Sequence, residues 1–351
     1  MTRSAFCKLS DPATYVACDW NLVEDAEGRV YWIEMFKRHF KTLLRLGLDV
    51  STARGEATDA AEERTKRCRA HFDAIFDDFA ANPRRQPRVT ILTLDEWRDQ
   101  TLRKFGFDDP FVDLKDREND LAILLLRRVC EAIDAILDER DQIRAVIEGV
   151  FAGNIFDMGA EETARKIMEG KLDFFHTRES LPKRPWLVDQ YDALESALLT
   201  RRYRKAVFFV DNAGADFMLG VVPLTRWLAR RETHVVLVGN ELPALNDMTV
   251  GDLRKWWTRV CEMEPTLIGL PISIVTSGTG EPLIDLSQVS DELNLAATDA
   301  DLVIIEGMGR GVESNLNASF TCDAVNLAMI KDPMVAKYNQ GKLYDVVCRF
   351  R

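Results

Sequence analysis

The sequence predicts an α/β fold in which a mainly parallel sheet follows a mostly helical N-terminal region. From about residue 180 onwards, apolar runs of strand length alternate with helical segments, which is typical of a parallel sheet with helices on its faces. The runs are continuously apolar, as expected for strands buried on both faces. They are Ala206–Val210, Val235–Val238, Ile272–Val275, Leu302–Ile305, Val325–Ile330 and Leu343–Val347.

The first 150 residues have a helical pattern. Val30–Leu46 carries apolar residues at helical spacing, and residues 115–150 predict one or two long helices. The segment Val89–Leu92 is either a short strand or the entry to a helix. We therefore expect a mostly helical domain over residues 1–150 and an α/β domain over residues 151–351.

Composition limits the classes of partner. The chain has 351 residues, 46% of them hydrophobic, and a formal net charge of −11, which disfavours nucleic acid and anionic membranes as partners. Its seven cysteines are scattered without a CxxC pair, so a structural zinc cluster is not expected. No segment has the pattern of a signal peptide or a membrane span, and we expect a soluble cytoplasmic protein. The sequence does not indicate an oligomeric state.

Polar side chains follow five of the predicted strands. Asp211 and Asn212 follow the first strand, and Asp247 comes after the second. The carboxyl ends of parallel strands share one edge of a sheet, where ligands bind. We therefore expect the polar groups at these ends to converge on one crevice. The later strands are followed by Ser277–Gly280, Glu306–Arg310, and Lys331 with Asp332.

The first three of these side chains suggest a metal site. Asp211, Asn212 and Asp247 offer two carboxylates and a carboxamide oxygen, and oxygen ligands are preferred by magnesium and accepted by manganese. Each residue alone has a simpler explanation, because Asp and Asn at these positions often cap helices. None of the four histidines forms a spaced pair, and none is assigned to a metal.

The other groups suit a phosphate. Arg310 can bind phosphate with its planar fork, and Lys331 can stabilise developing negative charge, although either can also be an ordinary surface charge. Ser277 and the glycines beside it can present backbone N–H groups to phosphate. Gly307 and Gly309 would let the backbone pass close to a ligand.

Several segments resemble the damage-control phosphatases, formerly domain of unknown function 89. The resemblance is carried by Val210–Asp216 (VDNAGAD), Glu241–Thr249 (ELPALNDMT) and Glu306–Arg310 (EGMGR), the last being typical of the subgroup that contains the phosphatase domain fused to an animal pantothenate kinase. Ala152–Gly159 and Lys115–Asn119 resemble further segments of that subgroup. Two residues depart from its pattern: Met158 stands where an aromatic residue is expected, and Gly311 where alanine is expected.

The resemblance implies a Rossmann-like α/β/α layer beside a helical domain, and a metal-dependent phosphomonoesterase. It implies support by manganese, cobalt, nickel or magnesium, and substrates such as 4′-phosphopantetheine and its oxidised or damaged forms in coenzyme A metabolism. Asn154 and Asp157 would border the site, and Lys331 would contact the phosphate. The metal ligands that the resemblance implies are Asp211, Asn212 and Asp247, the same residues that are expected to meet at the edge of the sheet.

Our leading hypothesis is hydrolysis of a phosphomonoester by metal-bound water, with Glu306 orienting Arg310 or a water. A covalent route through Asp211 is a rival, although the usual DxD pattern is absent. A sugar-phosphate phosphatase of the same family is a second alternative. An S-adenosylmethionine-dependent carboxyl methyltransferase is a third, and it lacks a convincing glycine-rich loop. A protein that binds without catalysis is a fourth.

Overall fold

A computed structural model describes residues 3–155 and 174–351, and its central element is a seven-stranded sheet. The strands of the described chain are β1 (Arg3–Ser4), β2 (Val188–Asp189), β3 (Lys205–Phe209), β4 (His234–Gly239), β5 (Ile272–Thr276), β6 (Val289–Ser290), β7 (Leu302–Glu306), β8 (Asp323–Met329) and β9 (Val346–Phe350). The sheet has the order β2-β9-β8-β7-β3-β4-β5, and β1 pairs with β6 separately.

The sheet is mainly parallel, as the sequence predicts. All of its pairings are parallel except that of β8 with β9. This last pairing is antiparallel because the chain between the two strands holds only a six-residue helix and returns at the same end of the sheet. The prediction began the last strand at Leu343, and the strand begins at Val346 because Tyr344 adopts a left-handed turn (φ 68°).

Helices make up most of the described N-terminal region and cover the sheet. The segment Val89–Leu92 is the entry to a helix rather than a strand, with Thr90 forming a capping box with Thr93. The described α-helices are α1 (Ala26–Ala53), α2 (Thr58–Ala81), α3 (Ile91–Lys104), α4 (Val112–Asp134), α5 (Glu139–Ile155), α6 (Phe174–Glu179), α7 (Tyr191–Thr200), α8 (Val222–Ala229), α9 (Val250–Met263), α10 (Asp291–Ala297) and α11 (Pro333–Tyr338). Across the described ranges, none of these helices combines the length and apolarity that a bilayer span requires.

Alternate residues of the buried strands enter two cores. Phe208 of β3 packs in a core shared with α4, α5, α7, α8 and α9, whereas Val207 and Phe209 pack on the opposite face with α10. Phe6, near the N-terminus, meets Phe209 with ring centroids 5.6 Å apart. The first residues therefore pack on the α/β half, and the domain boundary at residue 150 stays a prediction.

The chain order in the sheet reverses at β3. This strand has β4 on one side and β7 on the other, and ligands bind at the carboxyl ends of strands at such a switch point. Two π-helical turns lie just beyond these ends, Asp216–Val221 after β3 and Gly309–Ser314 after β7. Turns of this type are rare and often occur at functional sites.

Candidate active site

The loops that follow β3 and β4 run side by side. The backbone N–H of Met248 donates to the carbonyl of Asp211 at 2.9 Å, and Asn212 and Asp247 form an isolated antiparallel bridge. Asp211, Asn212 and Asp247 are all buried and line the same cavity. The structure therefore brings the three predicted metal ligands together.

Arg310 lies between the two carboxylates of this set. Its fully buried guanidinium bonds to Asp211 and donates to Asp247 Oδ2 at 2.7 Å. It also donates to Asn240 Oδ1 at 3.2 Å, and Asn240 Nδ2 in turn donates to Asp247 Oδ2 at 3.0 Å. In this arrangement Arg310 does not line the cavity, and its binding to phosphate stays a prediction.

A second group of carboxylates adjoins Asp211 on its inner side. One oxygen from each of Asp211, Asp216 and Glu306 lies within 4.8 Å of the others. The amide nitrogen of Asn154 donates to Asp216 Oδ2 at 2.8 Å, to Glu306 Oε1 at 3.3 Å and to Asp211 Oδ2 at 3.4 Å. Glu306 Oε2 also accepts from the backbone N–H of Asp211 at 3.0 Å. Asn154 thus lies beside Asp211, and its role at the site stays a prediction, while the sequence analysis gave Asp216 no role.

Burial makes the charged forms of these carboxyl groups costly. Burial, reinforced by the charge of Asp211, raises the pKa of Asp216 to about 6. Burial also raises the pKa of Asp247 to about 7, against the opposing effect of Arg310, and raises the pKa of Glu306 well above its ordinary value. A cluster of this kind favours proton or cation binding.

The oxygen atoms of the cluster fit a hard divalent cation. Asn154 Oδ1 and Asp216 Oδ1 are buried and accept no hydrogen bond from any described residue. The amide nitrogen of Asn212 donates to Asp211 at 2.7 Å and to Asp216 at 3.1 Å. The carboxamide oxygen of Asn212 therefore points away from these two carboxylates. An all-oxygen donor set with unsatisfied acceptors is what magnesium and manganese require.

Two glycines and a lysine lie close to these side chains. Gly307 has a φ of +96°, and a Cβ at this position would lie 2.3 Å from the carboxylate of Asp211. Gly309 lines the cavity. Lys331 also lines it, and its Nζ donates to the backbone carbonyl of Asn154 at 3.1 Å.

Ser277 was predicted to bind phosphate, and the structure does not bring it to the cavity. Ser277 is fully buried, its backbone N–H donates to the carbonyl of Gly239 at 2.8 Å, and it does not line the cavity. The adjacent Gly278 packs against Ser290, so this turn closes onto β6. Asp157 lies outside the described residues.

The cavity has a volume of about 270 Å³, and its far wall comes from the helical region. Trp32, Met35 and Phe36 of α1 supply an apolar surface. His39 lies one turn further along α1, and burial followed by the charges of Arg98 and Arg38 lowers its pKa to about 4, which keeps the imidazole neutral. Sequence periodicity did not single out this wall, because residues facing a cavity have the same helical spacing as residues facing a core.

The polar part of the far wall is built around Arg98 of α3. Its guanidinium is buried, donates to Asp99 Oδ1 at 2.7 Å and bonds to Asp95. Burial raises the pKa of Asp95 to about 7, partly offset by Arg98. The helical wall therefore offers apolar surface beside several hydrogen-bonding groups.

Comparison with known proteins gives consistent matches. The family profile of the damage-control phosphatase ARMT1-like domain matches residues 37–347. The chain is 38% identical over 331 residues to a damage-control phosphatase of Arabidopsis thaliana, which covers 92% of this chain and 88% of the relative. It is 28% identical over 396 residues to 4′-phosphopantetheine phosphatase of Mus musculus, covering 97% of this chain but only 48% of that longer relative. The crystal structure of a DUF89 family protein from Pyrococcus horikoshii has the same fold, with a TM-score of 0.62 at 18% sequence identity over 91% of this chain and 96% of that chain.

Proposed function

This chain belongs to the damage-control phosphatase ARMT1-like family, and from that premise we propose that it hydrolyses phosphate monoesters in metabolite repair, with 4′-phosphopantetheine or its oxidised forms as substrate. The observation that carries the proposal is the cavity at the switch point, where Asp211, Asn212 and Asp247 face the same space as Lys331. The methyltransferase alternative is not favoured, because the relatives are named phosphatases. A cytoplasmic location is part of this proposal.

In this proposal Asp211, Asn212 and Asp247 hold a divalent cation, which can be manganese, cobalt, nickel or magnesium. Such an ion neutralises phosphate charge and lowers the pKa of a bound water. Support comes from the oxygen atoms that these three buried side chains offer along one cavity, and from the neighbouring carboxylates of Asp216 and Glu306, which lie close to Asp211. Arg310 compensates part of the charge of the two carboxylates and cross-links them through its guanidinium fork.

Lys331 and Glu306 have different tasks in this proposal. The ammonium of Lys331 lies at the edge of the cavity and would donate to a phosphate oxygen as negative charge develops. Glu306 accepts from the backbone N–H of Asp211 and from the amide of Asn154, so it fixes the position of Asp211 from behind. This buried location favours an orienting role for Glu306 over contact with substrate.

The far wall suits the organic part of the substrate. The surface formed by Trp32, Met35 and Phe36 fits a carbon chain, and His39 and Arg98 lie close enough to the same space to meet polar groups on it. The arm of 4′-phosphopantetheine combines these features, since branched carbon is followed by hydroxyl and amide groups. We infer that the phosphate lies at the sheet edge and the arm lies along α1 and α3.

The test is a phosphate-release assay on the purified chain. We expect release from 4′-phosphopantetheine with Mn²⁺, its loss with EDTA, and slower release from a panel of sugar phosphates. Asp211→Asn, which keeps the shape of the side chain, should lose the metal-dependent rate while its circular dichroism spectrum is retained. Absence of metal-dependent release from every ester tested would refute the proposal. An added phosphoryl mass on acid-quenched protein would favour the covalent route instead.

A further inference from the structure

One face of α4 carries two buried polar side chains, Lys115 and Asn119. Their spacing of four residues puts them on the same side of the helix. They begin and end the segment Lys115–Asn119, which the function proposed above does not use. Burying an ammonium and a carboxamide is costly unless both are well bonded, so their partners indicate what they do.

Lys115 binds the segment that follows Asp247. Its Nζ donates to Asp252 Oδ2 at 2.7 Å and pairs with Asp109 at 2.9 Å. The same Asp252 oxygen accepts from the backbone N–H of Thr249 at 3.1 Å and from its hydroxyl at 2.8 Å, which closes the capping box at the start of α9. Thr249 is two residues beyond Asp247. Lys115 therefore fixes the downstream end of the loop that carries this carboxylate.

Asn119 contacts both the loop that carries Asn212 and the loop that carries Asp247. Its Oδ1 accepts from the backbone N–H of Gly214 at 2.7 Å, two residues after Asn212. Its Nδ2 lies 3.9 Å from the sulfur of Met248, the residue that directly follows Asp247. A single buried carboxamide thus links the loop after β3 to the loop after β4.

Other ion pairs join α4 to α9 without contacting the two loops. Asp116 pairs with Lys255 at 2.6 Å, and Asp120 pairs with Arg259, both at the exposed margin of the helix interface. These pairs dock one helix on the other. They provide a control for Lys115 and Asn119, which contact the two loops or the cap that ends one of them.

We propose that Lys115 and Asn119 are positioning residues for the loops that carry Asn212 and Asp247. They hold the two loops at a fixed position relative to each other, so that the proposed metal ligands are in place before an ion binds. This inference rests on the proposed metal site. Residues that orient metal ligands from behind typically change metal affinity by about 10- to 100-fold when they are replaced.

The test measures Mn²⁺ binding rather than catalysis, from the electron paramagnetic resonance signal of free Mn²⁺. Lys115→Met removes the charge with little change in length, and Asn119→Ala removes both contacts. Each should raise the dissociation constant for Mn²⁺ by about tenfold or more. The control Lys255→Met, in the same helix interface, should leave it unchanged. Asn119→Asp, which keeps an acceptor for Gly214, should fall between Asn119→Ala and the unmodified chain.

Circular dichroism of the ion-free variants shows whether each one is folded. If Lys115→Met does not fold, the pair Asn119→Ala and Asn119→Asp decides the question. Equal Mn²⁺ affinity in folded Asn119→Ala and Lys255→Met would overturn the positioning role. If the unmodified chain binds no Mn²⁺, both this inference and the metal site are overturned. Normal binding without phosphate release would count against the proposed reaction alone.

Discussion

Replacing Gly307 by alanine should disable the site without removing any of its ligands. The residue has a φ of +96°, and an added Cβ would lie 2.3 Å from both Cγ and Oδ2 of Asp211, whereas ordinary contact begins at 3.4 Å. The carboxylate would have to move by about 1 Å to restore van der Waals distance. Arg310 and Asn212 bond to that carboxylate, so the movement would disturb their hydrogen bonds as well.

Two effects of Gly307→Ala can be separated. An alanine in the left-handed region costs about 1–2 kcal/mol of the free energy of unfolding wherever it occurs. A displacement of about 1 Å at a reacting centre costs about 100-fold in rate. Gly55 provides the matched control, since its φ is +94° and no described atom lies within 4 Å of its would-be Cβ. Gly55→Ala should therefore show the backbone cost alone.

The assay compares kcat/KM for 4′-phosphopantetheine at saturating Mn²⁺, and the free energy of unfolding in urea, for both variants. We expect a loss of about 100-fold in kcat/KM for Gly307→Ala and an almost unchanged value for Gly55→Ala. The contact argument would be refuted if folded Gly307→Ala retained the activity of Gly55→Ala, because Asp211 would then not need its position.

Three further predictions address the cavity. Lys331→Ala should lower kcat by about 100-fold while Mn²⁺ affinity stays constant, because Lys331 would act on the negative charge of the phosphate. Steady-state kinetics and ion-binding titration check this. A loss of Mn²⁺ affinity with unchanged kcat would count against that role. Met35→Ala should raise the KM for 4′-phosphopantetheine by roughly tenfold, because about 1.4 kcal/mol of apolar contact is lost. The KM for a small aryl phosphate should stay unchanged. The control is Glu34→Ala, on the exposed face of α1. The third concerns pH. His39 has a pKa lowered from 6.5 to about 4 by burial, so the unfolded state takes up its proton first and acidification favours unfolding. In urea titrations at several pH values, the unfolding free energy of the unmodified chain should fall relative to that of His39→Gln by up to about 3 kcal/mol through this window; equal pH slopes would contradict the assignment.

Much of the fold follows from local signals in the sequence. Buried strands such as β3 and β7 are read from short apolar runs ended by polar residues, and the rule for parallel sheets then predicts which ends meet. That reasoning selected Asp211, Asn212 and Asp247 as neighbours, and the structure brings them together. Their roles as ligands stay predictions.

What the sequence left out depends on long-range geometry. Asp216 reaches the cluster because the chain enters a π-helical turn at this residue, and no composition signal marks that turn. The N-terminal strand pairs Arg3 with Ser290, a contact between segments far apart in the chain. Ser277 was expected at the phosphate, but Gly278 directs its turn towards Ser290 instead. The glycine signal predicted a tight turn, whereas the direction of that turn depends on the strand packed beside it.

The division of the cavity between a sheet edge and a helical wall makes the site modular for protein engineering. The groups proposed to bind the ion and the phosphate come from loops that the buried strands hold, whereas the groups proposed to face the rest of the ligand come from α1 and α3. Selectivity can therefore be redesigned by exchanging side chains such as Met35 and His39 on one helix, with the reaction chemistry left intact. A library confined to α1 and α3 is the natural starting point for retargeting this scaffold to other phosphate esters.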